Sequence, residues 1–343
     1  KINLKTMYDS FFMERCIALA QKGLGYTYPN PLVGCVIVHN GKIIAEGWHK
    51  KAGRSHAERE AISKVKDTSI LFNSTLYVNL EPCDHHGETP PCSDLIIDNK
   101  IPRVVIGCLD QNKKVLGKGV KKLKDNGCKI KLGVLEHKCQ KLNQRFFTFH
   151  QKKRPYVILK WAESADGFVA PKQPYSDFWL TDPLSKQRVH QWRSQEQSIM
   201  IGVQTALIDN PQLSTRLWTG ENPLPIIIDP NKKFSLSVRD FKLKKKKFLI
   251  IKDKKIKEDE GKPHIAAKDI LNQLFETGLQ SVIIEGGAKT LQHFIDEDLF
   301  DEVRIFFSNE KLNEGLSAPK INLDIISYFE NIKKDKLLTI YRE

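Results

Sequence analysis

One histidine and two cysteines, far apart in the sequence, most constrain how this chain of 343 residues can fold. His56 is followed two residues later by Glu58, and the cysteines stand in the segments Glu81-Pro82-Cys83 and Pro90-Pro91-Cys92. One imidazole and two thiolates can hold a zinc ion and leave its fourth position to water, while a nearby carboxylate can transfer protons. A fold that uses these residues in this way must bring them together in space.

Each segment also has a purely structural explanation. Ser55 and Glu58 fit a capping box at the start of a helix through residues 59–62, and the cysteines could be small core residues. The combination favours zinc, because Cys83 follows closely on the apolar run of residues 74–80, which predicts a strand. The end of a strand and the start of a helix can meet at one metal ion, and a helix N-terminus favours the thiolate form of cysteine.

Length and composition predict two globular domains and no membrane segment. Hydrophobic residues make up 40% of the chain and charged residues 28%, so each domain can bury its own core. No apolar run approaches the roughly 20 residues that a membrane helix needs, and the first residues lack an apolar signal core. Because the cysteines outside the motif mostly have apolar neighbours, which suits a reducing compartment, we expect a cytoplasmic protein.

The formal net charge of +14 permits a nucleic-acid partner. The densest basic run, residues 242–247, however, leads into the apolar residues 248–251, and most such runs are solvated edges. We therefore expect no nucleic-acid partner. Phosphorylated small molecules are the expected ligands, since a basic protein attracts anions.

In the first half of the chain, the apolar pattern predicts a helix–sheet–helix sandwich. A helix capped by Asp9 or Ser10 should run to about Gly23. Further helices are predicted after Ser55, after Cys92 and around residues 117–126. The predicted strands are residues 34–38, 42–46, 75–80, 103–107 and 129–133.

A second α/β unit is predicted beyond the basic segment of residues 149–155, which ends in a proline and lacks apolar periodicity. We place the domain boundary there, giving domains of residues 1–148 and 149–343. The predicted strands, near-continuous in aliphatic residues, are 156–160, 198–202, 224–229, 247–251 and 281–285, and the predicted helices are 183–193, 267–277 and 288–298.

The spacing of the two cysteines separates this chain from many base deaminases. Their signature has two residues between the cysteines, whereas here residues 84–91 intervene. This longer spacing resembles the RibD family of bifunctional riboflavin biosynthesis proteins, whose deaminase half reads H-A-E and then E-P-C-x-H-x-G-x-T-P-P-C. Residues 28–38 and Gly47-Trp48-His49 extend the match.

The second half of the chain resembles the reductase half of the same family. Residues 160–167 match K-x-A-x-S-x-D-G, and residues 189–193 and 202–216 continue the match in order. The glycine pair within residues 284–291 lies between a predicted strand and a predicted helix, where free amides can face an anionic group. By itself that pair could equally form a tight turn.

The resemblance implies a fold and two activities. The fold would be an N-terminal cytidine-deaminase-like three-layer α/β/α domain followed by a C-terminal dihydrofolate-reductase-like α/β domain. The first would deaminate diaminohydroxyphosphoribosylaminopyrimidine with zinc to 5-amino-6-(5-phosphoribosylamino)uracil. The second would use NADPH to reduce the ribosyl group of that product to ribityl, and we expect a homo-oligomer, either a dimer or a tetramer.

In the deaminase half, the resemblance implies that Glu58 is the catalytic residue, which takes a proton from water and returns protons to the leaving ammonia. We do not assign His85 or His86 as a zinc ligand, because a fourth protein ligand would close the site to water. The implied zinc ligands are His56, Cys83 and Cys92, and the implied substrate contacts are Asn30, His49 and His85.

In the reductase half, the arginines suit a phosphate, because a guanidinium group binds it as a fork. Two alternatives stay open: Arg193 could be a helix-end cation paired with Glu196, and Asp209 could form a turn before Asn210-Pro211. The implied substrate contacts are Lys160, Arg193, Leu213, Arg216 and Glu285. The implied NADPH contacts are Ala162, Trp179, Thr205, Asp209, Gly287, Ala288 and Thr290.

One departure from the family pattern concerns charge in the deaminase half. Glu88 stands where the family usually has lysine or arginine, so the cation expected at the phosphate site is missing. Either another base, such as Lys50, Lys51 or Arg54, supplies that charge, or the deaminase binds its substrate more weakly.

Two more departures concern the reductase half. Pro225 stands where an arginine is common, and Asp177 stands where a substrate-facing serine is common. Ser176 could take the second role after a shift of one residue.

Two other functions remain open from the sequence. The first is a zinc deaminase acting on transfer RNA or another nucleic acid, with an accessory C-terminal domain, but it would leave residues 156–343 without a role. The second is a non-catalytic binding module stabilised by zinc.

Overall fold

The computed structural model describes residues 4–86, 90–112, 115–172, 178–234, 247–252, 257–259, 262–322 and 327–342. Its internal contacts divide the chain into two compact units, Lys1–Lys152 and Lys153–Glu343. The boundary proposed after residue 148 falls inside a helix, Gln144–Lys152, because the basic segment continues that helix before Pro155 begins the next strand region.

The first unit contains a five-stranded sheet with the order β2-β1-β3-β4-β5. Strands β3, β4 and β5 are parallel, and β1 runs antiparallel to β2 and β3. The strands are β1 (Gly34–His39), β2 (Lys42–Trp48), β3 (Ser74–Leu80), β4 (Arg103–Cys108) and β5 (Lys129–Leu132). The helices are α1 (Leu4–Gln21), α2 (Ala57–Ile62), α3 (Cys92–Asp98), α4 (Lys118–Asp125), α5 (Glu136–Leu142) and α6 (Gln144–Lys152), with a 3₁₀ helix at Thr68–Asn73.

Helices cover both faces of this sheet, as the resemblance implied. Successive strand residues point to opposite faces, so Ile37 and Val78 pack with residues of α2, α3 and α4. Val36 and Tyr77 pack instead with residues of α1, α5 and α6. The result is the three-layer α/β/α arrangement expected of a cytidine-deaminase-like domain, and all five predicted strands are confirmed.

The prediction that Asp9 or Ser10 caps the first helix was wrong. Helix α1 already begins at Leu4, and Asp9 lies within it with a side chain that is 1% exposed. Its carboxylate accepts hydrogen bonds from Tyr77 Oη at 2.8 Å, Arg103 Nη2 at 2.8 Å and Lys131 Nζ at 2.8 Å. Asp9 therefore binds α1 to three strands of the sheet instead of starting the helix.

The second unit contains an eight-stranded sheet with the order β10-β9-β8-β13-β6-β14-β17-β16. Its neighbours from β10 to β14 are parallel, and β17 and β16 are added antiparallel. Its strands are β6 (Tyr156–Glu163), β8 (Ser198–Gly202), β9 (Leu224–Ile228), β10 (Leu249–Ile251), β13 (Ser281–Ile284), β14 (Glu302–Phe307), β16 (Ser327–Ile332) and β17 (Asp335–Tyr341).

Helices pack on both faces of this sheet as well. Residues of α9 and α10 pack on one face and residues of α7 and α8 on the other. These helices are α7 (Pro183–Gln195), α8 (Val203–Asp209), α9 (Ala267–Glu276) and α10 (Ala288–Asp296). Two short ribbons pair β7 (Phe168–Pro171) with β15 (Gly315–Ser317), and β11 (Lys257–Asp259) with β12 (Lys262–His264).

The sequence predicted five of the six parallel strands of this sheet and missed β14, β16 and β17. In β14, Glu302 and Arg304 interrupt the apolar pattern, although both are buried and Arg304 Nε donates to Glu302 Oε1 at 2.7 Å. Strand β16 forms one end of the sheet order and is exposed at every residue except Ile332. Among the described residues, no helix is both long and apolar enough to span a bilayer.

We predict that Asp9→Asn destabilises the first unit by about 2 kcal/mol at pH 7, the scale of hydrogen bonds to a buried charge. Burial raises the pKa of Asp9, but hydrogen bonds from Lys131, Tyr77 and Arg103 outweigh it and hold the pKa below 3.8. The stabilisation is therefore present at neutral pH and is lost as the pH falls below about 4. Calorimetry of the intact chain should show the destabilisation by Asp9→Asn as a lower midpoint of one unfolding transition.

Glu46→Gln is the matched control, since Glu46 also binds a cation of α1 but does so at the surface. Its partner Arg15 has a side chain that is 44% exposed, and such pairs contribute less than about 1 kcal/mol. Equal destabilisation in the two variants would contradict the role given to Asp9.

Candidate functional site

Three chain segments bring His56, Cys83 and Cys92 together. Cys83 lies three residues beyond the end of β3, Cys92 is the first residue of α3, and His56 immediately precedes α2. His56 Nδ1 lies 3.5 Å from Cys83 Sγ and 3.4 Å from Cys92 Sγ. All three ligand atoms lie within 4.8 Å of one another. Tetrahedral zinc with ordinary bond lengths separates nitrogen and sulfur ligands by about 3.5 Å, so the donor set and its spacing fit zinc.

The two thiols of this cluster differ in acidity. Hydrogen bonding from the Cys92 side chain, and then from His56, lowers the pKa of Cys83 to about 4 despite its burial. The Cys92 backbone N–H also donates to Cys83 Sγ at 3.3 Å. Hydrogen bonding to Cys83 and burial raise the pKa of Cys92. One thiolate is therefore favoured by the protein itself, and a bound cation would favour the second.

Glu58 is buried beside the same cluster, with 3% of its surface exposed. Burial, and then the negative charge of Cys83, raise its pKa, while the Cys92 thiol interacts with its carboxylate. A carboxyl group whose pKa is raised can take up and release protons closer to neutral pH. The capping-box alternative is wrong, because His56 is the N-cap of α2 and no side chain caps that helix.

The side chain of Glu81 fixes the chain at this point, a role that the sequence analysis missed. Its carboxylate accepts hydrogen bonds from the backbone N–H groups of Asp110, Gly117 and Val120 at 3.3, 3.0 and 3.1 Å. A Cβ atom at Gly119 would lie 2.0 Å from the carbonyl oxygen of Pro82. The start of α4 thus packs directly against the segment that carries Cys83, and the Glu-Pro-Cys motif was the available signal.

Asn30 and His49 form a fixed polar pair next to the cluster. His49 Nδ1 lies 3.2 Å from the Ser55 carbonyl oxygen, which can only accept, so Nδ1 carries the proton. Nε2 then accepts from Asn30 Nδ2 at 3.1 Å. Burial lowers the pKa of His49, which keeps the ring neutral, and this ring lies 5.5 Å from that of His56 in a T-shaped contact.

The remaining residues considered for the first unit are His85, His86 and Glu88. His85 and His86 are exposed, and neither belongs to the cluster that the described residues form. Glu88 lies outside the described residues. The structure therefore brings Asn30 and His49 to the zinc cluster and leaves His85 at the surface.

The second unit buries an ion pair between two of the residues predicted to bind its substrate. Arg193 Nε and Nη2 donate to the two carboxylate oxygens of Glu285 at 2.9 and 2.7 Å, and both side chains are less than a tenth exposed. Arg193 Nη1 also donates to the Ser214 carbonyl oxygen at 3.2 Å. The alternative in which Arg193 pairs with Glu196 is wrong, because the guanidinium group turns to the end of β13 instead.

Lys160 of β6 completes this charged group. It is 8% exposed, and burial lowers its pKa, with the Glu285 charge opposing and the Arg193 charge adding to that effect. Two cations thus surround one buried carboxylate, which leaves net positive charge for an anionic ligand.

Leu213 and Arg216 follow α8 in the chain. Leu213 is 3% exposed and packs in the core, with a backbone φ of 46°. Arg216 is exposed and lines a cavity of about 600 Å³ together with Gln187, Leu217, Trp218 and Thr219. Of this predicted pair, Arg216 has its side chain on this cavity, whereas Leu213 packs in the core.

Glycine and threonine residues form a narrow cradle where β8 and β13 end. A Cβ atom at Gly286 would lie 2.6 Å from Ile201, and one at Gly202 would lie 2.7 Å from Thr290 Oγ1. Gly287, with φ of 65°, faces Thr205 Oγ1 and precedes α10. Bare backbone at a helix start, beyond the carboxyl ends of parallel strands, suits the phosphates of a dinucleotide. These residues fit NADPH.

The remaining residues predicted for NADPH lie in three elements and in the segment before α7. Ala288 begins α10, and Ala162 lies near the end of β6. Asp209 ends α8, where burial raises its pKa, and Asn210 follows it in a left-handed turn conformation. Trp179 is 36% exposed, and the ammonium groups of Lys186 and Lys160 lie 4.3 and 5.9 Å from its ring centre.

Of the two departures from the family pattern in this unit, the structure describes the one at Pro225. This proline, which stands where an arginine is common, is buried in β9 opposite Ile199. Asp177 and Ser176 lie outside the described residues.

Two family profiles match the two units. The cytidine and deoxycytidylate deaminase zinc-binding region matches residues 7–108, and the RibD C-terminal domain matches residues 155–309. Together they cover the zinc cluster and the cradle at β8 and β13. They support the two expected cofactors, zinc and NADPH.

Similar proteins extend the match over almost the whole chain. Riboflavin biosynthesis protein RibD of Aquifex aeolicus is 37% identical over 340 residues, covering 96% of this chain and 95% of the relative. RibD of Actinobacillus pleuropneumoniae is 39% identical over 98% of this chain and 93% of the relative. The crystal structure of a diaminohydroxyphosphoribosylaminopyrimidine deaminase/5-amino-6-(5-phosphoribosylamino)uracil reductase from Thermotoga maritima matches with a TM-score of 0.86 and 36% identity, covering 98% of this chain and 99% of that one. This chain belongs to the RibD family of riboflavin biosynthesis proteins.

Proposed function

We propose that this protein carries out two successive steps of riboflavin biosynthesis in two domains, residues 1–148 and residues 149–343. The first domain deaminates diaminohydroxyphosphoribosylaminopyrimidine, and the second reduces the ribosyl group of the product, 5-amino-6-(5-phosphoribosylamino)uracil, to ribityl. The names carried by relatives that match almost the full chain support this assignment. The observation that carries it is the cluster of His56, Cys83 and Cys92 with Glu58 buried against it.

In the first domain, His56, Cys83 and Cys92 hold zinc, which when bound lowers the pKa of water toward neutrality. Glu58 accepts a proton from the water that attacks the amine-bearing carbon of the pyrimidine. It passes this proton to the adjacent ring nitrogen, then takes the proton of the new hydroxyl group and passes it to the amino group, which leaves as ammonia while the carbonyl group forms. The raised pKa of Glu58 supports this role, because the same carboxyl group must both accept and donate.

Substrate positioning in this domain falls to Asn30 and His49. Their mutual hydrogen bond and the Ser55 carbonyl group fix the orientation of the His49 ring. Neutral, oriented polar groups suit a neutral pyrimidine, since they can select its donor and acceptor pattern without adding charge. His85, which is exposed, would contact the more distal ribose phosphate part of the substrate.

In the second domain, Arg193, Glu285 and Lys160 position the sugar phosphate, together with Arg216 and the nearby backbone of Leu213. NADPH, when bound, supplies the reducing equivalent for the sugar. The cradle formed by Thr205, Gly287, Ala288 and Thr290 holds the cofactor, and Ala162, Trp179 and Asp209 flank it. The buried ion pair of Arg193 and Glu285 supports this assignment, because it prevents either side chain from turning away from the site.

The alternative of a nucleic-acid deaminase is not favoured, because the relatives named RibD match both domains and not the zinc region alone. The substrates are small molecules, and their phosphate groups agree with the net charge of +14. Assembly into a dimer or tetramer and a cytoplasmic location stay predictions.

We predict that Glu58→Gln abolishes ammonia release and spares reduction when the deaminated substrate is supplied directly. Glutamine keeps the size of the side chain but cannot shuttle protons, a loss worth at least about 100-fold in rate. Ammonia release and the disappearance of NADPH absorbance are followed separately on the same protein. Ammonia release at the wild-type rate would remove the assignment of Glu58, and loss of both signals would indicate a folding defect.

We predict that Arg193→Lys lowers kcat/KM of the reduction by roughly 10- to 100-fold and leaves ammonia release unchanged. Lysine cannot donate two parallel hydrogen bonds to Glu285, so a buried charged pair loses its fixed geometry. Arg188→Lys is the matched control on the same helix, because Arg188 pairs with Glu330 at the surface. Equal losses in the two variants would contradict a role for Arg193 in the site.

A further inference from the structure

We propose that Arg59 supplies the positive charge that binds the phosphate group of the deaminase substrate, an inference that rests on the function proposed for the first domain. Arg59 is the residue that follows the catalytic Glu58 in α2. The family resemblance assigns no role to this position. Glu88 stands where the family pattern usually has a basic residue, so the phosphate requires another partner.

The guanidinium group of Arg59 reaches from α2 to the segment that leads into Cys92. Its Nη2 donates to the Pro90 carbonyl oxygen at 3.2 Å. Its Nε is buried and has no hydrogen-bond partner among the described residues. A buried N–H group without a partner costs free energy, and a shift of the side chain that brings Nε to a ligand oxygen would remove that cost.

Arg59 lies close to the zinc cluster. It stands three residues after His56, and its Nη2 reaches the carbonyl oxygen of Pro90, two residues before Cys92. A phosphate bound there would belong to a molecule whose reactive ring lies beside Glu58.

Two other cations near this site, Lys50 and Lys122, already bind carboxylates. Lys50 Nζ lies 2.7 Å from Glu60, and Lys122 bridges Asp84 and Asp94 at 2.8 and 2.6 Å. Arg59 forms no ion pair within the described part of the chain, although one of its N–H groups is occupied by a carbonyl oxygen. Its remaining donors and its full charge are therefore available to a phosphate, which arginine binds as a fork.

The charge change along residues 84–91 agrees with this assignment. In the sequence, Glu88 replaces the usual basic residue two positions before Pro90. Arg59 of α2 places a positive charge at the carbonyl oxygen of the same proline. Lys51 and Arg54, two bases considered from the sequence, are exposed. A half-buried guanidinium group loses less of its interaction to solvent screening than an exposed one does.

A purely structural role for Arg59 makes a different prediction. If the side chain only ties Pro90 in place and so positions Cys92, its removal should impair the zinc cluster for any substrate. A phosphate-binding role instead affects only substrates that carry a phosphate. The two roles are separated by comparing the same compound with and without its phosphate group.

The experiment uses the full-length, zinc-loaded protein and its Arg59→Gln and Arg59→Lys variants. Ammonia release is measured with the pyrimidine ribotide and with the corresponding dephosphorylated riboside. We expect Arg59→Gln to lower kcat/KM for the ribotide by roughly 10- to 100-fold, mainly through KM, because a charge-assisted hydrogen bond is lost. The value for the riboside should change by less than about 3-fold, zinc content should stay at the wild-type level, and Arg59→Lys should recover part of the loss.

Lys64→Gln is the matched control, since it removes a positive charge just beyond the end of the same helix, where Lys64 pairs with Glu60. It should leave the preference for the ribotide over the riboside unchanged. If Arg59→Gln lowered kcat/KM equally for the ribotide and the riboside, the proposal would be overturned in favour of the structural role. A selective loss in Arg54→Gln with none in Arg59→Gln would also overturn it, and a wild-type protein that releases ammonia from neither substrate would refute the proposed function itself.

Discussion

The structure of the first domain depends on one requirement, namely that three side chains from distant parts of the chain meet at a single ion. The parallel strand β3 delivers Cys83, and the starts of α2 and α3 deliver His56 and Cys92. The segment that carries Cys83 is held by two further sets of contacts. Glu81 satisfies three backbone N–H groups, and Gly119 allows α4 to touch the Pro82 carbonyl group. These contacts hold the segment that carries Cys83 in place, and Glu58 is buried beside the cluster, where the proposed mechanism requires proton transfer.

In the second domain, a buried pair of charged side chains takes the place of a metal ion in bringing distant residues together. Its parallel strands β6, β8 and β13 end side by side, and such strand ends are where ligands bind in α/β proteins. Glycine at those ends leaves the backbone bare at the proposed cofactor site, while the bidentate pair of Arg193 and Glu285 fixes charge at the proposed substrate site. A buried pair of this kind is costly to form and is retained where geometry matters more than stability.

The sequence predicted the elements whose apolar pattern was uninterrupted, and with them the fold class and the convergence of the zinc ligands. It did not predict β14, because the buried Glu302 and Arg304 read as surface residues until their mutual hydrogen bond is known. The cap assigned to Asp9 failed for the same reason, since a carboxylate that binds three strands cannot be recognised from its neighbours in the chain. Local spacing suggested Glu196 as the partner of Arg193, whereas the true partner, Glu285, is distant in sequence. Partners that come together only through tertiary packing leave no local signal.

X-ray absorption at the zinc edge of the purified full-length protein tests the central claim most directly. The account predicts one zinc per chain, bound by one nitrogen at about 2.0 Å, two sulfurs at about 2.3 Å and one oxygen from solvent. A site with four protein ligands would contradict it, because no position would remain for water. Protein that binds no stoichiometric zinc when the metal is supplied would contradict it as well.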